Sequence, residues 1–204
     1  MESLQKQLAV LVQQHQYKDY PPFLHHPNPK VAGVLIPIVA KNDWHILLTQ
    51  RPKSMKDHAG EICFPGGKQE GNETLCQTAI RETQEELNIE VSQIVGRISS
   101  IPLLTSNYRL LPHVGFVDHI PTDYNHHEVA AVLPICVHRL CRLPFIKGTP
   151  FVYQGKEMLS PIFELEFLMD NPPTDIQIHG GTAIVLYEMT GILCRLWDLP
   201  VPGR

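Results

Sequence analysis

Residues 66–89 read GGKQEGNETLCQTAIRETQEELNI, and this stretch constrains the chain more than any other. Leu75, Cys76, Ala79, Ile80, Thr83 and Leu87 recur at the spacing of one helix face, at about 100° per residue. Asn72 stands where an N-cap would stand, and neither Pro nor Gly interrupts before Asn88. Glu82, Glu85 and Glu86 lie at i, i+3 and i+4, which gathers their carboxylates over roughly one turn beside the apolar arc. Like charges at that spacing repel by a few tenths of a kcal/mol per pair. A solvated helix face tolerates this cost, and charged faces are common on surface helices. A divalent cation among the carboxylates removes it, and all-oxygen donors suit a hard ion such as Mg2+ or Mn2+. The three glutamates alone leave both readings open.

Their surroundings narrow the choice. Gly67, five residues, Glu73, seven residues, Arg81-Glu82, then Glu85-Glu86 and Ile89 form a fixed pattern. It resembles the Nudix box of the Nudix hydrolase family, G-x5-E-x7-R-E-U-x-E-E-x-G-U with U aliphatic. Two positions depart from it. Thr83 fills an aliphatic slot, and Asn88 replaces the second glycine. Asn tolerates the left-handed conformation that ends many helices, so the second swap is mild. The resemblance implies a loop–helix–loop here, within an α+β fold whose mixed central sheet lies between helices.

Composition sets the outer bounds. The 204 residues suffice for one domain with a substantial core. A net charge of −4 with neutral His offers no basic excess for a nucleic-acid surface. No run approaches the roughly 20 apolar residues of a membrane span. Cys63, Cys76, Cys136, Cys141 and Cys194 are odd in number and scattered, as expected of reduced thiols in a cytoplasmic protein. The first residues lack the basic start and cleavage site of a secretory leader, and Pro202-Gly203-Arg204 is not a peroxisomal S-K-L address.

Residues 1–30 read as a lead-in: an amphipathic helix over 2–16 with Leu4, Leu8, Leu11 and Val12 on one face, then a Pro- and His-rich segment in which His25 and His26 are expected to be solvated. The domain proper spans 31–197, and 198–204 is a tail. Within the domain, 31–40 and 44–51 predict a hairpin around 41–43. The polar loop 52–61 precedes Ile62-Cys63-Phe64 and the Pro65-Gly66-Gly67 corner, a placement that favours ligand contact. After the box come strands at 91–104, 110–117 and 128–133, the last starting at Glu128. A short helix follows at 134–142. A hairpin joins 151–153 to 162–168 around Gln154-Gly155, and 176–195 ends the domain with an apolar helix that runs to Trp197.

Leu47-Leu48-Thr49-Gln50-Arg51, Gly60 and Phe64-Pro65-Gly66-Gly67 carry a second resemblance, to the coenzyme A pyrophosphatases of the Nudix family. Their pattern is LLT-x-R-S-x3-R-x3-G-x3-FPGG. Here Pro52 replaces the Ser, and Lys56 replaces the second Arg, keeping charge without the bidentate fork. Ile178-His179-Gly180-Gly181-Thr182-Ala183 is similar to the closing I-W-G-x-T-A of that subfamily, with His179 in the Trp position.

A diphosphate bridge is shielded from attack by its own charge, so hydrolysis needs that charge neutralised and a water aimed at phosphorus. The resemblance implies that Glu82 and Glu86 are the principal metal ligands and that Glu85 is a further ligand or the general base. It implies the Gly66 carbonyl as an added ligand, and Gly67, Glu73 and Arg81 as the frame. Glu128 is a candidate for metal binding or water activation. Arg51 and Lys56 are candidates for substrate phosphates. The expected reaction is cleavage of coenzyme A or acyl-CoA to 4'-phosphopantetheine, or its acyl form, and 3',5'-ADP. Alternatives are diphosphatase action on ADP-ribose, NADH or another nucleoside diphosphate derivative, or a non-catalytic nucleotide sensor; a sensor typically loses box glutamates that this chain keeps. The expected partner is a small molecule, with neither nucleic acid nor membrane, and the chain acts as a monomer or homodimer.

Overall fold

The computed structural model describes residues 2–23, 26–41, 43–174 and 176–203. In chain order the elements are α1 (Glu2–Gln14), β1 (Lys30–Ala40), β2 (Trp44–Gln50), β3 (Ile62–Cys63), β4 (Gly66–Lys68), α2 (Leu75–Leu87), β5 (Val91–Arg97), β6 (Ile101–Pro102), β7 (Tyr108–Val117), β8 (Ala131–Cys136), α3 (Val137–Leu140), β9 (Lys147–Tyr153), β10 (Lys156–Glu164), β11 (Gln177–Ile178) and α4 (Gly180–Leu196). A 3-10 turn, Leu165–Phe167, follows β10.

The β-branched run of β1 organises the main sheet of eight strands. One edge of β1 pairs in parallel with β7 from Lys30 to Val39. Its other edge is shared. Ile38–Ala40 pair antiparallel with β2, whereas Ala32–Val34 pair antiparallel with β4. Past that fork β2 continues between β8 and β3. One parallel pairing among antiparallel ones makes the sheet mixed. A separate three-stranded sheet has the order β11-β10-β9.

Both faces of the main sheet are covered. Val34, Ile36, Ile38 and Ala40 of β1 join a large core with Leu8 and Val12 of α1 and Val185, Leu186 and Met189 of α4. Val39, Leu47 and Val117 pack with Leu87 of α2 and with Ile89 in a smaller cluster. The second helix sits tight on β1: a Cβ built on Gly33 would lie 2.1 Å from the Leu75 carbonyl oxygen. The result is the expected α+β sandwich of helices around a mixed sheet. Among the described residues no helix is long and apolar enough to cross a membrane.

Several expectations change in detail. The segment 91–104 is not one strand: β5 carries bulges between Val91 and Gln93 and between Ile94 and Gly96, and β6 is separate. Glu128 does not start a strand; β8 begins at Ala131, and Glu128 lies in the preceding turn. The helix expected at 134–142 shrinks to Val137–Leu140, because Pro134–Cys136 pair with β2 at a position where Pro134 faces Leu47. The late hairpin turns at Gln154-Gly155 as expected, but its strands are β9 and β10, and 165–168 leaves the sheet as the 3-10 turn. The closing helix starts only at Gly180, after β11. All five cysteines are free, with Cys141 and Cys194 buried. His25 and Asn42 lie outside the described residues.

Candidate active site

The helix α2 starts two residues later than Asn72 suggested. Thr74 is its N-cap, accepting from Gln77 N–H, while the Gln77 side chain accepts from Thr74 N–H. This reciprocal pair satisfies two amides that helix geometry leaves open. The other end closes on Asn88 in the left-handed conformation, at φ 52°. The buried side chains are Thr78, Ala79, Thr83, Glu86 and Leu87, so the buried stripe is displaced from the sequence arc: Leu75, Cys76 and Ile80 are half-buried. Thr83 fits the aliphatic slot because its hydroxyl donates to the Ala79 carbonyl at 2.7 Å.

Arg81 and Glu73 hold the loop to the helix. Arg81 Nε donates to Glu73 Oε2 at 3.1 Å and Nη2 to Oε1 at 2.9 Å. Glu73 also accepts from Glu70 N–H at 2.8 Å and from the Thr78 hydroxyl at 3.0 Å. The Arg81 guanidinium above all, with the Glu70 amide, holds the Glu73 carboxyl down at about 2. Arg81 reaches further: to Lys68 O at 3.2 Å, to Glu82 Oε1 at 3.0 Å and to Glu85 Oε2 at 2.9 Å.

The three helix carboxylates therefore occupy different environments. Glu85 is half-exposed and engaged by Arg81. Glu82 lies against Gly67 in β4, and burial raises its pKa in spite of Arg81. Glu86 is only 4% exposed. Burial pushes its carboxyl up to about 8, against the Gly66 N–H and Arg51, with the charges of Glu82 and Glu128 adding to the rise. The Gly66 N–H contact is long, 3.5 Å, and a weak substitute for lost hydration.

Two residues distant in sequence meet this pair. Arg51 follows β2, its N–H donating to Glu61 O at 3.0 Å. Its Nε is buried and lacks a hydrogen-bond partner, while its charge bears on Glu86. Glu128 sits on an exposed turn, and its charge bears on both Glu82 and Glu86. Lys56 is exposed on the 52–61 loop. The Gly66 site contributes its N–H to Glu86, at a backbone φ of 154° where a Cβ would meet Gly33 O at 2.5 Å.

No sequence motif singles out Cys63 among the five thiols as a neighbour of this site. Its thiol contacts the Thr49 hydroxyl at 3.3 Å, and burial, reinforced by the Glu86 charge, pushes it up to about 11. Strand alternation was the available signal: Ile62 enters the large core, so Cys63 faces the other way.

Among the described residues, no three His, Cys, Asp or Glu side chains converge on one point. What converges is the Glu82–Glu86 pair, with Glu85 drawn to Arg81. The pair fits a hard divalent cation. Its donors are oxygens, Glu86 is buried with little compensation, and the space beside Glu82 exists only because residue 67 lacks a β-carbon.

Comparison with known proteins agrees with this geometry. A family profile described as the NUDIX domain matches residues 27–134. An uncharacterized Nudix hydrolase NudL of Yersinia enterocolitica is 34% identical over 140 residues, covering 67% of this chain and 71% of that protein. A NudL of Yersinia pestis is 37% identical over 116 residues, covering 55% of this chain and 58% of that one. Among solved structures, a MutT/nudix family protein from Enterococcus faecalis superimposes with a TM-score of 0.51 at 11% identity, over 94% of this chain and 74% of that one, a likeness of fold.

Proposed function

This chain belongs to the Nudix hydrolase family, and on that premise we propose that it hydrolyses the diphosphate of coenzyme A or an acyl-CoA to 4'-phosphopantetheine, or its acyl form, and 3',5'-ADP. The observation that carries the reading is Arg51. It belongs to the upstream pattern, its Nε is buried without a partner, and it stands beside Glu86. A guanidinium whose Nε donor is unused, next to a carboxylate pair, is suited to a phosphate oxygen.

The roles divide as follows. Glu82 and Glu86 would hold Mg2+ or Mn2+, and the bound ion supplies charge neutralisation of the diphosphate. Arg51 orients a phosphate. Arg81 fixes Glu82 from one side while Gly67 leaves it room on the other. Glu85 pairs with Arg81, and the role of taking a proton from the attacking water is assigned to Glu128, whose charge bears on Glu82 and Glu86. Lys56, on the flanking loop, meets the more distant anionic groups of the substrate. The reading carries with it a cytoplasmic site of action on a small-molecule substrate.

Liquid chromatography of CoA, ADP-ribose and NADH, each incubated with the protein and Mn2+, tests the proposal. The expected products are 4'-phosphopantetheine and 3',5'-ADP. Intact CoA beside consumed ADP-ribose or NADH rejects the CoA reading.

A further inference from the structure

Glu128 is held in place by a turn whose bonds converge on one residue. Asn125 N–H donates to the Glu86 carbonyl at 3.0 Å, which fastens the turn to the last residues of α2. The Asn125 carbonyl accepts from Glu128 N–H at 3.0 Å and from Val129 N–H at 2.9 Å. Its side-chain Oδ1 accepts from His127 N–H at 3.1 Å. On the far side Ala130 N–H donates to Gln50 O at 2.7 Å, one residue before Arg51, and Val129 is fully buried. The turn thus spans the two sides of the site, from the helix that carries Glu86 to the strand that delivers Arg51. The Glu128 side chain itself is exposed, so its direction depends on the backbone beneath it.

We propose that Asn125 is a positioning residue for Glu128: its Oδ1 closes the turn over His127 and so aims the Glu128 carboxylate at the Glu82–Glu86 pair. The proposal rests on the reading above that Glu128 takes the proton from water, and it does not depend on which diphosphate is the substrate. The Oδ1–His127 bond is the link that mutation can remove without altering the backbone bonds to Glu86 and Glu128.

A double-mutant cycle on Asn125→Ala and Glu128→Gln tests this, measured on whichever of CoA, ADP-ribose and NADH is hydrolysed. Asn125→Ala is expected to lower kcat about tenfold to a hundredfold, with KM and Tm unchanged. Asn125→Ser, whose hydroxyl can accept the same N–H, is expected to restore most of the rate. In the Glu128→Gln background Asn125→Ala is expected to cost nothing more. A second cycle reads Mn2+ affinity by electron paramagnetic resonance and needs no substrate. Each single variant is expected to weaken binding about threefold to tenfold through loss or misdirection of one nearby charge, and the double variant no further. Full activity of Glu128→Gln, equal losses from Asn125→Ala in both backgrounds, or a serine variant as slow as the alanine one overturns the proposal. In the absence of turnover, unchanged Mn2+ affinity in both single variants does the same. Inertness towards CoA alone, with a normal cycle on another diphosphate, overturns only the substrate assignment.

Discussion

Gly67 lies so close to Glu82 that a β-carbon built on it would stand 2.2 Å from Oε1. The glycine in this position is therefore a matter of room for a carboxylate, while its neighbour Gly66 is fixed by backbone conformation, at φ 154°. Gly67→Ala is expected to displace the Glu82 carboxylate and to reduce kcat on the order of a hundredfold. Fold stability should fall far less, since the displaced group is the end of a side chain. Steady-state kinetics beside a thermal melt separates the two effects; intact turnover in the alanine variant would remove Glu82 from the site.

Glu86 gives the metal-free protein a characteristic response to alkali. Its carboxyl is raised from 4.5 to about 8 by burial. The native state therefore favours the protonated form, and the contribution is full below about pH 4.5 and lost as pH rises through about 8. Urea unfolding in a chelator is expected to show stability falling by roughly 2–4 kcal/mol over that range. Glu86→Gln should flatten the profile, and added Mn2+ should restore stability at high pH. A wild-type profile as flat as the variant's would contradict the buried carboxyl.

Glu73 works in the opposite direction. Arg81 holds its carboxyl at about 2, below the ordinary 4.5. Its contribution is present above pH 4.5 and lost as pH falls towards 2. Glu73→Gln is expected to lower the melting temperature at neutral pH by a few degrees and to converge with the wild type in acid. Melts between pH 2 and pH 7 measure this, and a constant gap at every pH would exclude the ion pair as its cause.

Arg51 separates charge from geometry. Arg51→Ala is expected to raise KM for a diphosphate substrate about tenfold or more, since a phosphate then lacks its cationic partner. Arg51→Lys restores charge but not the planar fork, so it should recover only part of that loss. Equal KM in all three proteins would place the phosphate elsewhere.

Much of this arrangement is legible in the sequence. The run at 31–40 and the return at 44–51 announced β1 and β2 through apolar, β-branched composition, and the box spacing placed α2. The cap sits two residues beyond Asn72 because Asn72 and Thr74 are both good cappers; only Gln77, three residues after Thr74, distinguishes them. Spacing gathered Glu82, Glu85 and Glu86, yet it could not grade them. The difference between a buried Glu86 and a half-exposed Glu85 comes from tertiary packing, which sets Glu86 against the Gly66 amide of β4 and leaves Glu85 at the surface beside Arg81. The turn bearing Glu128 follows the same logic, since its position comes from bonds to Glu86 and Gln50 that no local pattern encodes. Pro134 suits the start of a helix, whereas β8 accommodates it opposite Leu47.

The loop at 52–61 leaves and re-enters the sheet at one place, where Arg51 N–H meets Glu61 O and Gln50 faces Ile62. Its two ends are clasped, so what lies between them can lengthen, shorten or change character while the floor beneath stays put. On the proposed reading, in which this loop meets the substrate, rewriting its ten or so residues would change the clientele and leave the carboxylate pair untouched, so new substrate preferences would be grafted there.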